Sequence, residues 1–104
     1  MPRSRQRPHL YAWAATLADK SQLRTDASRG KEAETLLNSA LMVEAFEALE
    51  KQYTQAWKDS LVRDTDARER LWQAVQIVGK VKTHLQIVAQ NGKLAQIELN
   101  QSAE

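Results

Sequence analysis

Two long stretches with helical periodicity, separated by four residues, constrain this chain more than anything else in it. The first runs from Lys31 to Leu61, the second from Asp66 to Gln90, and the link is Val62-Arg63-Asp64-Thr65. A link that short makes consecutive helices antiparallel neighbours. The first stretch repeats apolar residues through Leu37, Leu41, Phe46, Leu49, Tyr53 and Trp57; the second does so through Leu71, Val75, Val78, Val81, Leu85 and Val88. Such i, i+3, i+4 and i+7 spacing is the signature of amphipathic helices. The expected fold is all-α: an antiparallel two-helix hairpin, preceded by a short helix and a basic extended arm.

The flanks are expected to be less regular. Pro2 and Pro8 disfavour helix at the residues before them, so Met1–His9 reads as an arm. Leu10, Trp13, Ala14 and Leu17 share one face of a short helix over Leu10–Asp19, and the polar Ser21–Gly30 reads as a connector with a turn near Ser28-Arg29-Gly30. Asn91-Gly92 reads as a helix stop, because both residues tolerate the left-handed conformation, and Lys93–Leu99 as a further turn or two of helix set at an angle. The expected organisation is residues 1–30 as arm, short helix and connector, 31–99 as the hairpin, and 100–104 as a frayed tail. At the start of the second helix, Asp66-Ala67-Arg68-Glu69 has capping-box spacing, with Asp64 and Thr65 as further N-cap candidates.

No chemistry is visible. The chain has 104 residues and no cysteine, which excludes disulfides, thiolate metal sites and a cysteine nucleophile. His9 and His84 have no local partners with metal-ligand spacing; His84 reads as a flank or partner-contact residue. Gly79-Lys80 lacks the upstream glycine of a phosphate loop and sits inside a helical pattern. No catalytic, cofactor or metal residues are assigned, and a non-enzymatic protein is expected. No apolar run reaches the length a membrane span needs, so no membrane partner is expected either.

What remains points to partners. A two-helix layer cannot cover this many large apolar side chains on both sides. Trp57 and Trp72 lie at similar distances from the link and are expected to stack near the turn; with Trp13 they are the candidate docking aromatics. A mid-helix glycine costs about 1 kcal/mol relative to alanine, so Gly79 is expected to mark close approach of another backbone, from the first helix or a neighbouring subunit. Residues 1–31 hold seven basic and two acidic side chains, against eight and eleven in the remainder. Arg3, Arg5 and Arg7 are therefore the candidates for contacting a polyanion, DNA included.

The stretch from Leu36 to Ile97 resembles small helical proteins encoded among the head and tail genes of tailed bacteriophages. The resemblance is carried by Glu44-Ala45-Phe46-Glu47-Ala48-Leu49-Glu50-Lys51-Gln52-Tyr53, Ala56-Trp57, Asp64-Thr65-Asp66-Ala67-Arg68-Glu69, Leu71-Trp72, Gly79-Lys80-Val81, His84-Leu85 and Asn91-Gly92-Lys93-Leu94-Ala95. It implies an oligomeric virion structural protein, assembled in the host cytoplasm and associated with the portal, the head–tail junction or the capsid. A DNA-packaging factor, comparable in role to a small terminase subunit, is the alternative. The resemblance transfers no individual functional residue, and the arm lies outside it.

Overall fold

A computed structural model describes the backbone of residues 8–102 and the side chains of residues 19–102. Those residues form three α-helices: α1 (Pro8–Asn38), α2 (Ala40–Asp59) and α3 (Thr65–Ser102). The expected all-α class holds; the expected boundaries on either side of the link do not. Arg3, Arg5 and Arg7 lie outside the described residues, as does the side chain of Trp13.

The expected connector at Ser21–Gly30 is helix, so α1 is one rod of 31 residues. Polar composition hid this, because the packing face here is built from small residues. Ala27, Gly30 and Ala33 are buried at every third position, and they meet an equivalent buried series on α3, Ala89, Gly92 and Ala95. Local bonds support the rod: Gln22 Nε2 donates to Asp26 Oδ1 at 2.8 Å, and the Thr25 and Thr35 hydroxyls donate to the carbonyls four residues back.

The two small-residue series bring α1 and α3 into backbone contact. A Cβ placed on Gly30 would sit 2.5 Å from Gly92 Cα, and one placed on Gly92 would sit 2.5 Å from Gly30 Cα and 2.9 Å from the Asp26 carbonyl oxygen. Neither position has room for a methyl group. This explains why Asn91-Gly92 does not end the helix. No residue of the described chain has positive φ, so Gly92 contributes its small size rather than its conformational freedom, and α3 continues for 38 residues. Lys93–Leu99 belongs to the same helix rather than to a second one at an angle.

Sequence periodicity ran unbroken through the α1–α2 boundary, yet the chain turns there at a single residue. Ser39 is extended (φ −68°, ψ 125°), and its Oγ accepts from the Met42 N–H at 3.5 Å while its own N–H donates to the Leu36 carbonyl at 3.1 Å. A serine N-cap is the ordinary chemistry for starting a new helix. The break lets α1 run along the C-terminal half of α3 and α2 along the N-terminal half.

The link over residues 60–64 reverses the chain. α3 starts one residue earlier than expected, and the cap is Asp64 rather than Asp66: Asp64 Oδ1 accepts from the Ala67 N–H at 3.3 Å, and its carbonyl from the Arg68 N–H at 3.1 Å. Asp66 lies inside the first turn, where its negative charge still favours the positive helix end.

The principal extents are 70 × 39 × 13 Å. A single helix with its side chains is about 10–12 Å across, so the three helices lie in one layer. Its buried apolar residues are few and mostly small: Ala27, Ala33, Phe46, Val78, Ala89 and Ala95.

Candidate functional site

Helical geometry sorts the two faces of this layer. Phe46 on α2 and Val78 on α3 mark the buried seam, and Gly30 marks it on α1. A residue three after or one before a seam position is rotated to one side of the seam; a residue one or four after is rotated to the other. In antiparallel helices equal rotations lead to the same face of the layer. The first rotation places Ala45 and Leu49 of α2 beside Ile77 and Val81 of α3, with Ala33 and then Leu36 of α1 continuing the surface. The second rotation places Glu47, Glu50, Gly79, Lys82, Lys31 and Glu34 together. One face is apolar through its middle and the other is charged.

Exposure shows what the apolar face leaves uncovered. Leu36 is 42%, Leu49 37%, Ile77 59% and Val81 50% exposed. They span all three helices around the Ser39 break. Counting heptads from Ile77 puts Arg70 and His84 on the same side, and Arg29 precedes Gly30 in the same rotation, so cationic side chains stand at the two ends of the surface. A contiguous apolar patch rimmed by polar residues is the usual mark of an interaction site.

On the charged face, Glu50, Val75, Gly79 and Thr83 line an open depression. No atom beyond its own helical turn lies within 4 Å of a Cβ built on Gly79. The expected approach of the first helix at Gly79 is therefore not made; Gly30 and Gly92 are the glycines at the helix crossing. The periodicity alone did not separate these roles, but the three-residue spacing of small side chains in Ala27-Gly30-Ala33 and Ala89-Gly92-Ala95 was readable.

At the turn, Trp57 and Trp72 line a shallow depression with Arg68 between them. The ring partner of Trp57 is Arg68, whose guanidinium carbon lies 4.1 Å from the ring centroid. The same guanidinium donates to the carbonyl oxygens of Trp57 and Ser60, each at 3.3 Å, and to Ser60 Oγ at 3.0 Å. Arg68 thus caps the carbonyl end of α2 from the first turn of α3, where a cation also suits the helix dipole. Sequence reasoning treated the two tryptophans as a pair and missed this arginine. Trp57 remains 37% and Trp72 54% exposed.

Among the described residues no group of three or more His, Asp or Glu side chains is placed to hold a metal ion, and no helix is long and apolar enough to cross a membrane. Comparison of the chain with protein-family models, curated proteins and solved structures finds no match.

Proposed function

We propose that this chain is a non-enzymatic structural protein that completes its fold by association, an oligomeric component of a bacteriophage virion attached at the portal, the head–tail junction or the capsid. The observation that carries the proposal is the single helical layer with large aliphatic side chains exposed across all three helices. Domains ordinarily bury such a surface between at least two packed layers. The virion setting is supported by the sequence resemblance over Leu36–Ile97. Within this reading the α2–α3 hairpin is the assembling module. The exposed tryptophans at its turn are the contact for a larger shell or ring protein, and Arg3, Arg5 and Arg7 are available to an acidic partner.

Sedimentation of the purified chain over a wide concentration range tests the proposal. Reversible association at micromolar concentration is expected. A compact, cooperatively unfolding monomer at every concentration would remove the basis for it. Association with duplex DNA that weakens steeply with salt would instead favour the packaging role, because phosphate contacts release counterions.

A further inference from the structure

We infer that the apolar face built by Leu36, Leu49, Ile77 and Val81 is covered by the same face of a second copy, in a two-fold pair of three-helix layers. The inference rests on the self-association just proposed and names the surface and the occupant. Three observations carry it.

The first is area. The chain exposes 8507 Å². A compact monomer of its mass, 11.8 kDa, exposes about 5,900 Å². The first seven residues, taken at the unfolded-chain rate, account for about 1,100 Å² of the difference, which leaves an excess on the order of 1,500 Å² per chain. Covering that excess on two chains buries on the order of 3,000 Å² in total, within the range of obligate dimers. A single docked peptide helix would leave much of it exposed.

The second is shape. The exposed residues lie on all three helices rather than in one groove, so the complement is itself a layer. A second copy is such a layer, and an isologous pairing matches each patch with itself.

The third is charge. The opposite face carries Glu47, Glu50, Lys82, Lys31 and Glu34, and ions of both signs there are well solvated. The apolar face has charge only toward its ends, at Arg29 and Arg70. Pairing through the apolar middle buries no ion, whereas pairing through the other face would desolvate several.

The chain has no cysteine, so single cysteines report position directly. Ile77→Cys and Val81→Cys stand on the apolar face; Glu47→Cys and Gln86→Cys stand on the charged face. All four sites are exposed, and circular dichroism of each variant checks that the helices are retained. A bis-maleimide reagent reaching roughly 10 Å, the separation of packed helical layers, is expected to give covalent dimers with at least one of the first pair and none with the second. A Val81→Glu variant is expected to associate at least tenfold more weakly than the parent, and Gln86→Glu to associate like it. If the parent associates but cross-linking favours the charged face, or Val81→Glu pairs as well as the parent, the inference falls and self-association stands. A parent that stays monomeric at every concentration overturns both. So does association that needs added DNA, which would assign the surface to a complex of different composition.

Discussion

Arg68 holds the turn by three kinds of contact at once: it stacks on Trp57, donates to the last carbonyls of α2 and bonds Ser60 Oγ. Only a planar, multiply donating cation does all of this. Arg68→Ala is expected to lower stability by about 1–2 kcal/mol, and Arg68→Lys to recover less than half of the loss, read from urea midpoints at one fixed protein concentration. The N-cap is a second test at this scale. Asp64→Ala removes the acceptor for the Ala67 N–H and is expected to cost about 1 kcal/mol. Asp66→Ala removes no such bond and is expected to cost a fraction of that, from the dipole alone. Equal losses for the two aspartates would contradict the assigned cap. The sequence offered three acidic or hydroxyl candidates within three positions, and side-chain direction, which periodicity does not encode, decided among them.

At the scale of the elements, the two glycine types separate space from propensity. Gly79 has open room for a Cβ and Gly92 has none. Gly79→Ala is expected to stabilise the chain by up to about 1 kcal/mol, the helix-propensity difference. Gly92→Ala is expected to destabilise it by about 1–3 kcal/mol despite the same propensity gain, because α1 and α3 must move apart. If Gly92→Ala also stabilises, the helices do not cross there. The all-α class was legible because apolar periodicity over Lys31–Leu61 and Asp66–Gln90 is a strong local signal. The α1–α3 contact was not, because its interface is written in alanine and glycine, which carry little hydrophobic contrast. A window rich in Ser, Arg and Asp, such as 21–30, reads as a loop until its partner is known. Ser39 was missed for the opposite reason: the apolar stripe continues across it, and a one-residue cap leaves the period almost undisturbed. Of the candidate interaction residues, Trp57 and Trp72 fall in one depression as their equal distance from the link suggested, while the aliphatic face emerged only once three helices were known to share a layer.

For the whole molecule, a layer one helix thick makes folding and association inseparable. Burial contributes roughly 25 cal/mol per Å² of apolar surface, and most of the largest aliphatic side chains here remain partly in water. The isolated layer therefore has little stability beyond the α1–α3 seam and the Phe46–Val78 level, and the missing burial is supplied by the partner. Association that involves only the folded form raises apparent stability by mass action. The thermal midpoint of the parent is accordingly expected to rise steadily with protein concentration between about 1 and 100 μM, while that of Val81→Glu stays flat and low over the same range. Helix content measured well below either midpoint should converge at high concentration for the parent and lag for the variant. A parent midpoint independent of concentration, together with a sharp single transition, would mean that three helices in one layer suffice for a stable fold. The exposed Leu36, Leu49, Ile77 and Val81 would then contribute nothing to holding it together.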